Sequence, residues 1–340
     1  MHELLPDSPT ARLAEVDRPF AHLLEVRDEG WLGRLYARPE LRRLVPLGVS
    51  VWLAGLRGRL EWRLSRSART GALQRAAGML GPGAPPREVT RLARQHLIEL
   101  AIQTELSWRP WDARRMPLHG AENLDLARAG GRGAILATIH MGPMLNLAHA
   151  VVAHGHPGYA SGGPTLAESP LDGTEGRWWK TQMMWVEEAG CRWVGRGGSY
   201  ELFRALLQRG ELCWLNWDIP GHTTLPVRVL GRTMAIGRGL GQLALETRAK
   251  VIPGFVWREG RGQVGMLFPP IDPGEVADEG ELHARMAAAV EAALGPRLAQ
   301  AHRGLARNLG RAAMGTEPGQ WASCQPAWSA FMPARRAGKR

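Results

Sequence analysis

The sequence predicts an α/β protein, with a mainly parallel central sheet flanked by helices and an N-terminal helical region before it. Three observations carry this prediction. Helical periodicity dominates residues 1–114, short continuous apolar runs follow, and helical segments separate those runs. Continuous apolar runs are typical of strands covered on both faces, and strands separated by helices favour a parallel sheet.

The chain divides into three parts in this prediction. Residues 1–114 are the helical region, residues 115–312 the α/β domain, and residues 313–340 a basic tail containing Pro and Trp. In the first part, a helix begins at the Ser-Pro of SPTARLAEVDRPFAHLLEVRDEG, and the GPGAPP segment separates two helices. The segment PPREVTRLARQHLIELAIQTELSW repeats apolar residues at the spacing of one helical face.

Strands and helices alternate in the predicted α/β domain. The predicted strands are GAILATI, ELCWLNWD, AKVIPGFVWR and GQVGMLFPP. The predicted helices are residues 144–154, 200–208 and 240–248, followed by a long helical stretch, residues 281–311, that breaks at Gly295-Pro296. Ligands of such sheets bind beyond the carboxyl ends of the strands, and His140 and Asp218 both fall there.

Composition limits the class of protein. At 44% hydrophobic residues the 340-residue chain is globular. Its three cysteines have no paired spacing, which fits a reducing, cytoplasmic location and argues against disulfides and a zinc site. We expect no bound metal ion and no cofactor.

The chain is strongly basic, with a formal net charge of +11, and arginine supplies nearly all of the positive charge. One interpretation is a GC-rich genome, in which Arg codons are used in place of Lys codons. The other is a face for an anionic partner, such as phospholipid headgroups, an acidic acyl carrier protein or a nucleotide thioester. Nucleic acid is not expected, because the arginines are dispersed and no binding motif occurs.

The most apolar stretch near the N-terminus is LVPLGVSVWLAGL, residues 44–56. It is shorter than the roughly 20 residues that a membrane-spanning helix needs. The opening MHELLPDSPT also lacks the features of a signal peptide. Residues 44–56 are therefore expected to form either a core helix or a helix in the membrane interface, with Trp52 and Trp62 as anchors.

The segment GAILATIHMGPMLNLAH places His140 in a turn between a strand and a helix. Pro143 suits the first turn of that helix, and Gly142 lets the backbone approach a substrate closely. Free N–H groups at a helix start can bind a developing oxyanion. An imidazole in this position is a natural general base for acyl chemistry.

This strand–His–Gly–helix segment resembles the first motif of the lysophospholipid acyltransferase superfamily, in which Asp or Glu follows the histidine by five residues. It is most similar to the branch of bacterial late lipid A acyltransferases and mycobacterial phosphatidylinositol mannoside acyltransferases. Four segments carry the resemblance, which covers roughly residues 85–275: PREVTRLARQHLIELAIQTELSW, HGAENLDLARAGGRGAILATIHMG, ALLQRGELCWLNWDIPG and VRVLGRTMAIGRGLGQLALETRAKVIPGF.

The resemblance implies a glycerolipid-acyltransferase-like fold, with an N-terminal helical region at a membrane surface. It also implies acyl transfer from a CoA or carrier-protein thioester to a hydroxyl or amine, with His140 as base. The family's acid, however, falls on Leu145, which cannot hydrogen-bond. Such divergence fits a specialised lipid or secondary-metabolite pathway.

Three interpretations of the missing acid remain open. Asn146 could hold the imidazole as a neutral partner, or Asp218 could supply a carboxylate from a neighbouring strand. Otherwise His140 does no acid–base work. The scaffold would then run a different reaction or bind a lipid or acyl carrier without catalysis.

Other candidates for substrate contact lie near the predicted site. The resemblance places Arg177 and Lys180 near the acceptor or a phosphate, although a solvated helix face is the alternative. His222 follows Asp218 closely and is a further candidate, and Leu145 would line the pocket. His149, His154 and His156 have no acidic or cysteine neighbours in the sequence, so a metal site there is not expected.

Overall fold

The computed structural model describes residues 13, 15–27, 38–195, 199–221 and 223–313. The predicted basic tail therefore lies, apart from its first residue, outside the described residues, and so does His222.

Helices occupy the N-terminal region and surround the sheet. The α-helices are α1 (Pro39–Arg43), α2 (Leu47–Leu64), α3 (Arg66–Leu80), α4 (Pro86–Ser107), α5 (Pro110–Ala113), α6 (Glu122–Arg128), α7 (Asn146–Ala153), α8 (Gly173–Glu188), α9 (Ser199–Gln208), α10 (Gly239–Thr247), α11 (Glu279–Leu294) and α12 (Arg303–Ala313). Short 3-10 helices occur at Ala21–Leu23, Leu166–Glu168 and Gly295–Gln300.

The strands form one large sheet and two small pairs. They are β1 (Val26–Arg27), β2 (Leu118–His119), β3 (Ala134–Thr138), β4 (Tyr159–Ser161), β5 (Leu171–Asp172), β6 (Arg192–Val194), β7 (Leu212–Asn216), β8 (Thr224–Val229), β9 (Arg232–Gly237), β10 (Lys250–Glu259) and β11 (Gly262–Leu267). The seven-stranded sheet has the order β2-β11-β10-β3-β7-β4-β6. Its neighbours are parallel except for the β10–β11 hairpin. The protein is thus an α/β fold with a mainly parallel central sheet flanked by helices, as the sequence predicts.

Alternate residues of the central strands separate two apolar layers. Ile135 and Ala137 of β3 join one cluster of buried side chains, whereas Ala134 and Leu136 join the other. Both faces of β3 are buried because helices cover both sides of the sheet. This explains the continuous apolar run in its sequence.

Several strands were not predicted from the sequence. β4 and β6 have three residues each at one edge of the sheet, and β8 and β9 form a separate antiparallel hairpin. Short edge strands leave little periodicity to detect. In β8, only Val227 and Val229 are buried, and polar or exposed residues surround them in the sequence.

The N-terminal helices pack into one layer through small residues and a buried arginine. A Cβ atom on Gly58 of α2 would lie 2.7 Å from the Ile98 Cα of α4, so only glycine allows this approach. The Arg109 guanidinium donates hydrogen bonds to the carbonyls of Arg42 and Val45, at 2.8 and 3.0 Å. These contacts tie the start of the helical region to its end.

The helix α2 has the two faces that the sequence left as alternatives. Val51 and Ala54 are buried against α4, whereas Trp52 is 59% exposed and Leu53 48% exposed. Within the described chain, no helix combines the length and the apolar character required to cross a membrane.

His149 of α7 is buried in the fold without a partner. It is 1% exposed, and neither ring nitrogen hydrogen-bonds to any described residue. Burial lowers its pKa from 6.5 to about 4, and repulsion from Arg114 adds to the effect. The folded protein therefore keeps this ring neutral at a pH at which the unfolded chain protonates it.

Replacing His149 with Leu should flatten the loss of stability in acid. Between pH 6.5 and about 4 the unfolded chain holds more protons than the folded chain, so the free energy of unfolding falls as the pH falls. This histidine should account for roughly 2–3 kcal/mol of that fall. Urea denaturation at pH 7 and at the acid end of this window measures it. The exposed His119→Leu variant is the control, and an unchanged pH dependence in His149→Leu would contradict the assignment.

Candidate active site

His140 and Asp218 come together because β3 and β7 are adjacent parallel strands. Thr138, the last residue of β3, is paired with Asn216, the last residue of β7. The Trp217 N–H then donates a 2.8 Å hydrogen bond to the Thr138 carbonyl, which extends the pairing by one residue. His140 and Asp218 each follow their strand by two residues and so lie side by side.

The Asp218 carboxylate holds His140 at two points. The His140 Nδ1 atom lies 2.9 and 3.0 Å from its two oxygens, and the His140 backbone N–H donates to Oδ2 at 3.2 Å. Asp218 is only 2% exposed. Because a carboxylate accepts hydrogen bonds, Nδ1 carries the hydrogen and Nε2 is the basic nitrogen of the neutral ring.

Two further hydrogen bonds fix the main chain of His140 and of Asp218. The Asn308 side chain of α12 donates to the Asp218 carbonyl at 3.1 Å. The His302 backbone N–H donates to the His140 carbonyl at 2.7 Å. The helix α12 and the residue before it therefore hold both His140 and Asp218 through their main-chain carbonyls.

Asn146 is not the partner of His140, and that alternative is wrong. It is fully buried, and its Nδ2 donates to the Leu106 carbonyl at 2.9 Å and to the Gln263 Oε1 at 2.8 Å. As the first residue of α7, it points into the layer between α4 and β11. Its amide is structural, since it satisfies polar groups that would otherwise be buried unpaired.

A cavity of about 430 Å³ opens beside His140, within the usual range for small-molecule sites. Its walls are mainly aromatic and aliphatic, with a few charged groups. The lining includes Leu97, Leu100, Trp108, His140, Gly142, Met144, Leu145, Trp178, Trp179 and Trp193, together with Arg57, Glu61, Glu175, Asn216, His302 and Arg303. The aromatic lining comes from several elements that lie far apart in the sequence.

Leu145 lies on the cavity wall at the position that resembles the acidic residue of the family motif. It is 5% exposed and packs in the apolar layer that contains Leu147 and Met183. Leu145 thus forms part of an apolar wall, while a carboxylate reaches His140 from the residues after β7.

Gly142 lies where an L-residue would be strained, with φ at 57°. A Cβ there would lie 2.2 Å from the Val256 carbonyl oxygen of β10. The close approach that requires glycine is therefore to the protein's own strand, although Gly142 also lines the cavity. The expected close approach of Gly142 to a substrate stays a prediction.

Most backbone N–H groups in the turn after His140 are already hydrogen-bonded to backbone carbonyls. The N–H groups of Met141, Gly142 and Met144 bond to the carbonyls of Ile139, Gln300 and Gly142. Those of residues 146, 147 and 148 bond to the carbonyls of residues 143, 144 and 145. The expected row of free helix-start amides is therefore not present, and Leu145 keeps the one N–H of residues 141–148 without a backbone acceptor among the described residues.

Arg177 and Lys180 are not among the residues that line the cavity, and their predicted contact with the acceptor or a phosphate stays a prediction. The cavity face of α8 carries Thr174, Glu175, Trp178 and Trp179, which follow helical spacing. Lys180 lies on another side of that helix, where its Nζ donates to the Leu24 carbonyl at 2.5 Å.

Glu175, His302 and Arg303 were missed by the sequence analysis. Burial raises the pKa of the Glu175 carboxyl, and nearby Arg303 opposes this rise. His302 immediately precedes α12 and Arg303 is its first residue, after the 3-10 helix Gly295–Gln300. The signal that could have found Glu175 is its place beside Trp178 and Trp179 on one helix face; His302 offers only its position after the break.

Among the described residues, no group of three or more His, Cys, Asp or Glu side chains is arranged to hold a metal ion. The chemistry of the site is that of a carboxylate-supported imidazole beside an apolar cavity. Such an imidazole can take a proton from a hydroxyl or amine.

Residues 87–302 match the model of the family described as bacterial lipid A biosynthesis acyltransferase. No curated protein matches the sequence. Among solved structures, the chain is similar to the 1-acyl-sn-glycerophosphate (LPA) acyltransferase PlsC from Thermotoga maritima, with 13% identity and a TM-score of 0.35 over 76% of this chain and 97% of that one.

The family match spans more than half of the chain and contains His140, Asp218 and His302. The chain therefore belongs to the bacterial lipid A biosynthesis acyltransferase family and is an acyltransferase.

Proposed function

We propose that this protein transfers an acyl group from a CoA or acyl carrier protein thioester to a hydroxyl or amine acceptor, with His140 as general base. The observation that carries the proposal is the contact between the His140 Nδ1 and the buried Asp218 carboxylate, at 2.9 Å, beside the cavity. Asp218 takes the place of the carboxylate that Leu145 cannot provide.

In this mechanism Nε2 of His140 removes the proton of the acceptor as its oxygen or nitrogen attacks the thioester carbonyl. The imidazolium that forms is stabilised by Asp218, which is its nearest negative charge. When the tetrahedral intermediate collapses, the carbon–sulfur bond breaks and the proton passes to the thiolate. The products are the acylated acceptor and the free thiol of the donor.

The cavity walls support a long acyl chain as the transferred group. Trp108, Trp178, Trp179 and Trp193 line the space beside His140, and Leu145 adds an aliphatic surface. Apolar walls stabilise an acyl chain by removing its surface from water. The altered motif and this Trp-rich wall favour an acceptor other than lipid A or an ordinary phospholipid, in a specialised lipid or secondary-metabolite pathway of the cytoplasm.

We also propose that the protein works at an anionic membrane surface. On α2, Trp52, Leu53, Leu60 and Leu64 are 44–80% exposed, and Arg57 of the same helix lines the cavity. An exposed apolar helix face of this kind suits the interface of a bilayer.

Positive charge accompanies this apolar face. An open groove between α2 and α4 is lined by Arg59, Arg87, Arg91 and Arg94. None of these four guanidinium groups has a hydrogen-bond or ion-pair partner among the described residues. Clustered arginines beside apolar residues complement anionic headgroups.

Removing either member of the pair should abolish acyl transfer. His140→Ala and Asp218→Asn should each lower kcat by about 10³–10⁴, because the base or the support of its charged form is lost. The measurement is intact-mass detection of acyl transfer with a panel of acyl-CoA and acyl carrier protein donors. His119→Ala and Asp125→Asn, both at exposed positions, are the controls. Activity within a few-fold of wild type would exclude His140 as the base.

Restoring the acid of the family motif should not restore an ordinary site. Leu145→Glu should lose native activity, because the carboxylate would be buried in an apolar wall whose nearest base is already paired with Asp218. Leu145→Met keeps the apolar volume and should retain activity. A gain of phospholipid or lipid A acyltransferase activity in Leu145→Glu would show instead that the site is a decayed form of the family's.

The membrane proposal predicts selective binding to anionic vesicles. In flotation assays the protein should bind vesicles of phosphatidylglycerol and phosphatidylcholine more than vesicles of phosphatidylcholine alone, and less at about 0.15 M salt than at low salt. Trp52→Glu with Leu53→Glu should abolish binding. Leu126→Glu, at a residue 55% exposed on α6, should not. If the double variant binds the anionic vesicles as well as Leu126→Glu does, the exposed face of α2 is not the membrane contact.

A further inference from the structure

His302 is held in a fixed position relative to His140. A bridge between Met141 and Ala301 joins the two loops, and the His302 N–H donates to the His140 carbonyl at 2.7 Å. The two rings are 6.1 Å apart between centroids, and both line the cavity. A substrate that reaches the base therefore also meets His302.

The ring of His302 is neutral in the pH range in which the protein works. Burial lowers its pKa to about 3, and repulsion from His140 and Arg303, then from His96 and Arg307, adds to the effect. No carboxylate is among the groups that shift it. A neutral imidazole carries one N–H donor, and these basic neighbours favour any negative charge that forms beside it.

One ring nitrogen of His302 is available to a substrate. The Nδ1 atom is buried and has no hydrogen-bond partner among the described residues, whereas Nε2 is not enclosed in this way. Since the ring lines the cavity, Nε2 is the nitrogen that a bound molecule can reach.

The reaction needs such a donor. Attack on a thioester carbonyl places a negative charge on its oxygen, and acyltransfer sites stabilise this oxyanion with hydrogen-bond donors. The turn after His140 engages its amides internally, except that of Leu145. Apart from that amide, the donors on the cavity wall are side chains, and among them His302 is held against the main chain of His140.

We infer that His302 is a second catalytic residue, which donates a hydrogen bond from Nε2 to the carbonyl oxygen of the acyl thioester and stabilises the oxyanion. This inference rests on the proposed acyl transfer. As the acceptor atom bonds to the carbonyl carbon, the carbonyl electron pair moves to the oxygen beside His302, while His140 holds the acceptor's proton. When the carbonyl re-forms, the carbon–sulfur bond breaks and that proton goes to the sulfur. His302 keeps its own proton throughout.

A matched pair of substitutions tests the donor. His302→Met and His302→Gln have similar length, but only Gln can donate a hydrogen bond. His302→Met should lower kcat by about 10²–10³ with a much smaller change in KM, the loss expected for one oxyanion donor. His302→Gln should recover at least about tenfold of that loss. His149→Met is the control, because His149 is also a neutral histidine in the fold, has no hydrogen-bond partner among the described residues and does not line the cavity.

The pH dependence separates this role from that of His140. Since His302 stays neutral, its variants should keep the acid limb of the wild-type profile of kcat and lower the whole curve. Equal kcat values for the Met and Gln variants, both folded by their melting temperatures, would overturn the inference while leaving the acyl transfer intact. A shifted acid limb in the Gln variant would overturn it too. A wild-type protein inactive with every acyl-CoA and carrier donor would overturn the proposed function, and this inference with it.

Discussion

The hydrogen-bonded pair of His140 and Asp218 depends on one constraint, the parallel register of β3 and β7. Pairing Thr138 with Asn216 puts the residues two positions beyond each strand end at the same edge of the sheet. A shift of register by one residue would turn alternate side chains to the other face and separate the pair. The two apolar layers enforce the register, because the alternate residues of β3 are buried in different clusters.

Enclosure of this pair comes from elements at both ends of the chain. The helix α2 supplies Arg57 to the cavity and α4 supplies Leu100, while His302, just before α12, and Arg303, its first residue, also line the cavity. His96 of α4 links the two groups, since its Nδ1 bonds to the Ala299 carbonyl just before α12. The helical region is thus part of the site as well as of its surroundings. The base and its carboxylate follow strands of the central sheet. The cavity beside them is lined by the N-terminal helices and by the residues at the start of α12.

In the proposed mechanism, a carboxylate from another strand does the work of the acid that the resemblance places at Leu145. A histidine needs a hydrogen-bond acceptor at Nδ1, but the acceptor can come from any element that reaches the same edge. Here Asp218 serves from the adjacent strand, and Leu145 becomes free to shape the cavity wall. The electropositive neighbours of His302 and the apolar wall beside Leu145 then divide the site into a part suited to developing charge and a part suited to an acyl chain.

The sequence by itself determined the fold class, the four main strands, the helix after His140 and the helical break before α12. Long apolar runs and helical periodicity are local properties that survive without knowledge of neighbours. It also singled out His140 and Asp218, because residues that follow buried strands share one edge of a parallel sheet. Tertiary structure alone decided between Asp218 and Asn146, since the direction of each side chain depends on packing against α4 and β11. It likewise decided that Lys180 bonds to the Leu24 carbonyl and that His302 lines the cavity. Those placements depend on contacts between residues more than a hundred positions apart, and no local pattern records such contacts.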